Sequence, residues 1–168
     1  MTETVTHWKQ EANKNFLGSW ALLTGIDENE KPVYGQLVAT IKELRREMIA
    51  DMAGIKKGVD NAKKDELLIY FEELDKPMVV HAKANFKGLE TACGTPFIER
   101  WIGKKVCIYV EKNVKAFGQT HDVLRIKPVP KRLCDVCGAI IDEAFYQKSI
   151  QKYGKAFCSA ECKEKFEK

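Results

Sequence analysis

The stretch GQLVATIKELRREMI, residues 35–49, decides the fold, because the fold depends on whether it forms a long strand or a helix and it has features of both. Apolar and polar residues alternate through Leu37, Ala39 and Ile41, as in a strand with one buried face. The alternation slips near Lys42 and Glu43, which a β-bulge would explain. The competing interpretation is a helix, since Glu, Leu, Arg and Met all favour helices. Length and alternation together favour one bent strand.

Four other stretches have strand character and one has helical character. Strands are predicted at residues 16–23, 66–71, 105–110 and 123–126, and a helix at residues 81–93, which ends at Gly94. The resulting order is β-β-β-α-β-β. A mainly β, five-stranded oligonucleotide/oligosaccharide-binding (OB) barrel has its helix between strands three and four, so we expect this fold.

A proline-containing segment divides the chain. Pro128 and Pro130 favour an extended backbone that a central strand would not tolerate. The 36 residues after this segment are too few to bury an adequate core unaided. We therefore predict an OB-fold domain over residues 1–127, a linker over residues 128–132 and a separate small module over residues 133–168.

Two close cysteine pairs lie in that last segment, namely Cys134 with Cys137 and Cys158 with Cys162. Pairs at this spacing can place four thiolates tetrahedrally around one zinc ion. Four sulfur ligands leave no position for water, so we predict a structural zinc site, which makes residues 133–168 a zinc-finger module. Two disulfides, or four reduced buried thiols, are the alternatives. Metal binding would add about 10–16 kcal/mol of apparent folding free energy to the module.

The amino-acid composition limits the classes of protein to which this chain can belong. The chain has 168 residues, of which 45% are hydrophobic and 31% charged, and a net charge of +4. This charge is too mild to decide for or against a nucleic-acid partner. No apolar run approaches a membrane span, and the first residues carry no signal core, so we expect a cytoplasmic protein without a membrane partner. Cys93 and Cys107 are interpreted as ordinary buried thiols.

Strand alternation predicts which side chains leave the barrel core. Leu67, Ile69 and Phe71 should point inward and Leu68 outward, while the directions of Arg45 and Arg46 stay open. Outward cations and aromatic rings suit the phosphates and bases of an unpaired strand. The predicted contacts are Lys42, Tyr70, Tyr109, Lys115, Phe117 and Arg125. In the alternative interpretation, Tyr70 and Phe117 only cover the core.

The chain lacks the sequence signatures of common catalytic sites. It has no phosphate-binding loop, no Gly-x-Ser-x-Gly elbow, no zinc-protease motif and no clustered acidic metal site. We therefore expect a protein that is not an enzyme.

Several short motifs resemble the OB-fold single-stranded DNA-binding proteins that phages and prophages encode among their replication genes. The matching segments are NFLGSW (15–20), KPM (76–78), GTP (94–96), WIGK (101–104), KAFG (115–118) and LRI (124–126). The resemblance implies largely sequence-nonspecific binding of single-stranded DNA during phage replication or recombination, in the host cytoplasm. Replication or recombination proteins are the implied partners, while RNA binding and a homo-oligomer stay open. Separately, YGKAFCS (153–159) and the cysteine spacing resemble treble-clef zinc fingers.

Two other functions are compatible with the sequence. In one, the barrel is a scaffold and the zinc finger docks a host or phage protein, which makes the protein an interaction adaptor. The other is a sequence-specific DNA-binding regulator. It is less favoured, because the segment after Cys158 lacks the Arg, Asn and Gln side chains that read base edges.

Overall fold

A long, bent strand lies at the centre of the structure, a computed structural model that describes residues 6, 8–12, 15–116 and 118–168. This strand occupies the stretch that decides the fold, so the helical alternative is wrong. The strands are β1 (Leu23–Ile26), β2 (Pro32–Tyr34), β3 (Leu37–Ala50), β4 (Lys63–Phe71), β5 (Met78–Val80), β6 (Lys105–Ala116) and β7 (Gln119–Lys127). The α-helices are α1 (Trp8–Ala12), α2 (Met52–Lys56), α3 (Lys83–Cys93), α4 (Glu143–Tyr153) and α5 (Ala160–Glu167).

Strand β3 is shared between two halves of one five-stranded antiparallel sheet. Its residues 37–40 pair with β6, and its residues 41–50 pair with β4. The full strand order is β5-β4-β3-β6-β7, while β1 and β2 form a separate hairpin. Within the described ranges no ladder joins β5 to β7, so the sheet is open along that edge.

A bulge at Lys42 confirms the predicted slip in the alternation. Ile41 pairs with Phe71 and Glu43 pairs with Tyr70, so one extra residue of β3 lies between two consecutive residues of β4. The bulge inverts the parity of the strand. It keeps Leu44 packed against the core and turns Glu43 to the other face of the sheet.

The main hydrophobic core lies on one face of this sheet. It contains the inward residues that alternation predicts in β3, β4, β6 and β7, together with residues from α3 and the loop after it. Its members include Ala39, Ile41, Leu67, Ile69, Phe71, Leu89, Trp101, Val106, Ile108, Leu124 and Ile126. Cys93 and Cys107 are buried free thiols, as predicted.

Helix α3 follows its prediction closely and packs on β7. It ends at Gly94, whose φ of 71° lies in the left-handed region that favours glycine at a helix end. On the packed side, Asn85 is buried and its Nδ2 donates to the carbonyl oxygen of Leu124 at 3.2 Å. This contact ties the helix to the sheet.

One strand prediction is wrong. Residues 16–23 do not form a strand, since Ser19–Leu22 is a short 3-10 helix and β1 begins only at Leu23. The fifth strand of the sheet is instead β5, which pairs with β4 at one edge. The sheet therefore still has three strands before α3 and two after it.

Leu68 is buried rather than exposed, with no accessible surface. It lies between Arg45 of β3 and Val79 of β5 on the face of the sheet that points away from the main core. The aliphatic stem of an arginine and a valine can cover a leucine there. Leu67, Leu68 and Ile69 are thus three consecutive buried residues, a pattern that strict alternation does not predict.

The cysteine-containing segment has a second hydrophobic cluster, formed by Cys134, Ile141, Ala156, Phe157 and Cys162. Residues 128–132, which precede it, belong to no helix or strand. Among the residues described, no helix is both long enough and apolar enough to cross a membrane.

Candidate metal centre and outer sheet face

The first cysteine pair lies in a tight turn. The N–H of Gly138 donates to the carbonyl oxygen of Cys134 at 3.0 Å, and the N–H of Cys134 donates to Ala139 at 2.8 Å. Gly138 has a φ of 72°, so the turn needs a residue that tolerates the left-handed region. The turn brings the side chains of Cys134 and Cys137 to the same side.

The second pair is set by the start of α5. Ser159 is the N-cap of this helix, and its Oγ accepts a hydrogen bond from the N–H of Cys162 at 3.3 Å. Cys158 immediately precedes this N-cap, and Cys162 lies in the first turn of the helix. The sulfurs of Cys158 and Cys162 accordingly lie 3.5 Å apart.

Asp135 links the turn that carries the first cysteine pair to the segment before the second pair. Its backbone N–H donates to the carbonyl oxygen of Ala156 at 2.7 Å, and its Oδ2 accepts from the N–H of Ala156 at 2.7 Å. Ser149 of α4 supports the same segment, because its Oγ accepts from the N–H of Phe157 at 3.0 Å. These contacts join the segments that carry the two cysteine pairs.

All four sulfurs lie within 4.8 Å of one another and could hold a metal ion. A tetrahedral ion with metal–sulfur distances of about 2.3 Å would space its ligands about 3.8 Å apart, close to the arrangement seen here. The sulfurs of Cys137 and Cys158 are 3.4 Å apart, far beyond a disulfide bond, and all the cysteines are free thiols. The disulfide alternative is therefore wrong.

The electrostatics of the cluster also suit a cation. Burial acts to raise the pKa of Cys134, but hydrogen bonds from the backbone N–H groups of Cys137, Val136 and Cys158 outweigh it and lower that pKa. Burial and hydrogen bonds with the neighbouring cysteines raise the pKa of Cys158. Adjacent thiols cannot all ionise without a positive charge between them, which a bound metal ion would supply.

On the outer face of the sheet, the face away from the main core, Tyr70 forms a cluster with three charged side chains. The guanidinium carbon of Arg45 lies 5.0 Å from the centroid of the Tyr70 ring. The same guanidinium pairs with Glu43, with Nε 2.6 Å from Oε1. The hydroxyl of Tyr70 donates to Glu47 at 3.3 Å, and partial burial together with this carboxylate raises the pKa of Tyr70.

Tyr109 forms a second cluster of the same kind on the outer face. The ammonium of Lys127 lies 4.7 Å from the centroid of its ring. Arg125 pairs with Tyr109 across the ladder, and its Nε lies 2.6 Å from the carboxylate of Glu111. The Arg125 side chain is only 14% exposed, so it is less available to a ligand than the alternation suggested.

The two tyrosine clusters lie on opposite halves of the sheet. Tyr70 pairs with Glu43 of β3, whereas Ile108, the neighbour of Tyr109, pairs with Leu37. Along an extended strand, the interval from Leu37 to Glu43 is about 20 Å. Tyr70 and Tyr109 are therefore on one face but do not form one compact site.

The remaining predicted contacts are more scattered. Lys42 is exposed at the bulge of β3. Lys115 pairs with Thr120. Thr120 has the same strand parity as Leu124, whose side chain points into the core. Lys115 therefore lies on the face opposite Tyr109. Phe117 lies outside the described residues.

Two cations that the prediction omitted complete the tyrosine clusters. Arg45 and Arg46, whose directions the sequence left open, lie on opposite faces, because the ladder pairs Arg45 with Leu68 and Arg46 with Leu67. Only Arg45 joins the outer face, while Arg46 pairs with Asp65 at 2.9 Å. Lys127 is two residues after Arg125 in β7, so strand alternation alone places both side chains on the outer face.

No protein-family model, curated protein or solved structure matches this chain.

Proposed function

We propose that this protein binds single-stranded nucleic acid, largely without sequence preference, on the outer face of an OB-like sheet. The supporting observation is the pair of clusters in which a cation lies against a tyrosine, Arg45 with Tyr70 and Lys127 with Tyr109. Unpaired nucleic acid needs this combination, because phosphates attract cations and bases stack on rings.

The strand order supports an OB-like fold. Helix α3 follows the third strand of the five-stranded sheet and precedes the fourth, as in an OB barrel. The long first strand of this sheet, β3, pairs with both the second and the fourth. Nucleic acid in OB folds follows the face of the second and third strands, here β4 and β5, and Tyr70 is on β4.

The energetics favour displacement of the resident cation by a base. A cation over an exposed ring contributes about 0.5–1 kcal/mol, and an exposed ion pair about 0.2–1 kcal/mol. A base that stacks on the same ring gains about 1–3 kcal/mol. The displaced Arg45 or Lys127 side chain is long enough to turn to a neighbouring phosphate, so its charge continues to contribute.

The acidic neighbours limit the electrostatic part of binding. Glu43, Glu47 and Glu111 offset much of the positive charge on this face. If Arg45, Lys127 and Lys42 each neutralise one phosphate, the logarithm of affinity falls with the logarithm of salt concentration at a slope of roughly −2. Stacking then supplies most of the affinity.

We further propose that the metal of the C-terminal cluster is one structural zinc ion. Four thiolates in a tetrahedral arrangement are the ligand set that zinc prefers, and they leave no coordination site for water or substrate. Bound zinc would allow Cys134, Cys137, Cys158 and Cys162 all to ionise and would hold the turn at Gly138 against the start of α5. Zinc content of the purified protein tests this directly.

Fluorescence polarisation with labelled oligo-dT and oligo-rU at several salt concentrations tests the binding function. We expect saturable binding by the wild type and strong loss in the Tyr70→Ala/Tyr109→Ala variant. The matched control is Phe97→Ala, which removes an exposed ring that also lies beside a cation, Arg100, but is not on the sheet. Equal binding by the double variant and the wild type would exclude the proposed face.

Replication or recombination of phage DNA, the setting that the resemblance implies, stays a prediction. Comparing the affinities for dT and rU addresses the preference between DNA and RNA.

A further inference from the structure

A groove with aromatic walls opens between α4 and α5, on the module that carries the cysteine cluster. Its volume is about 430 Å³, enough for one or two large side chains. Phe157 is only 4% exposed and contributes to the lining, and the ring centroid of Tyr153 lies 6.0 Å from that of Phe157. Phe145 also lines the groove and is 48% exposed. The groove and the exposed Phe145 ring together offer apolar surface that a ligand side chain could cover.

The rim of this groove is basic. Lys148 and Lys152 are one turn apart on α4, and Lys163 contributes from α5. The ammonium groups of Lys163 and Lys152 lie 4.6 Å and 5.3 Å from the centroid of the Tyr153 ring. Glu164 is the one acidic residue among those that line the groove. The groove therefore combines an apolar interior with an excess of positive charge.

We propose that this groove binds an acidic segment of another protein, which inserts one aromatic or aliphatic side chain between α4 and α5. The carboxylates of such a segment would pair with Lys148, Lys152 and Lys163, while the inserted side chain would pack against Phe145 and Phe157. A buried apolar anchor surrounded by charged contacts is a common arrangement in peptide recognition.

The geometry favours a peptide over the other occupants. Successive stacked bases need open ring faces, but Phe157, which lines the interior of the groove, is only 4% exposed. A second copy of this chain would bring the same basic rim against itself, which like-charge repulsion opposes. An acidic peptide matches both the apolar interior and the charge of the rim.

The test uses the full-length, zinc-loaded protein and a labelled acidic dodecapeptide with one central phenylalanine. Fluorescence polarisation should show saturable binding. At least tenfold weaker binding is expected when alanine replaces the phenylalanine or when lysines replace the acidic residues. Equal binding of all three peptides, or no saturable binding up to about 1 mM peptide, would overturn the proposal.

Matched variants locate the site. Lys163→Glu should weaken binding at least tenfold, whereas Lys165→Glu makes the same charge change two residues away, outside the groove, and should change binding less than twofold. Phe145→Ala should also weaken binding without lowering the melting temperature appreciably, because its ring is already half exposed. Zinc content and circular dichroism confirm that each variant is folded. The same loss in both lysine variants would contradict a groove-specific site.

This inference is independent of nucleic-acid binding by the sheet. The Tyr70→Ala/Tyr109→Ala variant should bind the peptide as the wild type does, and Lys163→Glu should bind oligo-dT as the wild type does. If oligo-dT instead competes with the peptide and loses affinity in Lys163→Glu, the groove is a nucleic-acid site and the peptide proposal is wrong.

Discussion

Gly88 of α3 and Ile126 of β7 meet backbone to backbone. The position that a Cβ atom at residue 88 would need is already taken by the carbonyl oxygen of Ile126. Alanine in place of Gly88 would gain about 1 kcal/mol of helix propensity, but it would force the helix away from the sheet. We expect Gly88→Ala to lower the free energy of unfolding by about 1–3 kcal/mol in chemical denaturation.

Gly25→Ala is the control for this substitution. It adds the same methyl group where no atom lies within 4 Å of the new Cβ and where φ is not positive. Its free energy of unfolding should differ from that of the wild type by less than about 0.5 kcal/mol. Equal stability of the two variants would show that α3 does not pack this closely on β7.

Loss of one cysteine ligand should unfold the C-terminal module but not the sheet. In Cys162→Ser we expect the zinc content to fall and amide hydrogens of α4 and α5 to exchange rapidly, because metal binding supplies much of the folding free energy of such a small module. Amides of β3 and β4 should stay protected. Zinc analysis and hydrogen exchange measure both effects.

Cys107→Ser provides the comparison. Cys107 is buried in β6, with its sulfur 3.6 Å from Oε1 of Gln36, a contact that a serine hydroxyl can replace. This variant should keep a full complement of zinc. Full zinc content in Cys162→Ser as well would contradict a four-cysteine site.

Two substitutions at Tyr70 separate stacking from hydrogen bonding. Tyr70→Phe removes only the hydroxyl that donates to Glu47, so affinity for oligo-dT should stay within about twofold. Tyr70→Ala removes the ring and should cost about 1–3 kcal/mol, which is a loss of roughly fivefold to 150-fold. Polarisation titrations measure both. Similar losses in the two variants would indicate a role for the hydroxyl rather than for stacking.

Glu73 should make a small, pH-dependent contribution to stability. Its carboxylate accepts hydrogen bonds from the N–H and Oγ1 of Thr40 at 2.7 Å and 2.8 Å. Burial opposes ionisation, but these bonds and the nearby charge of Lys105 lower the pKa of Glu73 below 4.5. Stability from this group is therefore present above the ordinary glutamate pKa and is lost as pH falls through the lowered pKa.

Denaturation between pH 7 and pH 3 tests that contribution. Because Glu73 is exposed, we expect an effect of less than about 1 kcal/mol, which Glu73→Gln should remove. Glu72→Gln, at an exposed neighbouring position, should keep the pH profile of the wild type. A wild-type profile in Glu73→Gln would mean that the Thr40 contact does not persist in solution.

The features that the sequence predicted correctly are those with a strong local pattern. Alternation identified β3 and its bulge, and the glycine at position 94 marked the end of α3. The spacing of the cysteines was enough to predict that their sulfurs meet. In each case a short sequence pattern marks the feature, although the two cysteine pairs themselves are far apart in the chain.

The features that the sequence missed depend on distant contacts. Residues 16–23 have an apolar composition typical of a strand, but the chain turns at Ser19–Leu22 and the ring of Trp20 lies against Gly18. Strand β5 is too short to show an alternation of its own. Leu68 is buried beside Arg45 and Val79, its neighbours in the sheet, and neither neighbour is evident from the sequence of β4.

The bulge at Lys42 also determines which length changes this protein can accumulate in evolution. Insertion of one further residue there would exchange the two sides of half of β3, burying Glu43 and Arg45 and exposing Leu44, whereas deletion of Lys42 would only restore regular pairing. Insertions in the turn between β3 and β4 would leave the sheet unaffected. Homologues should therefore differ in length at residues 57–62, and none should have a longer spacing from Ala39 to Leu44.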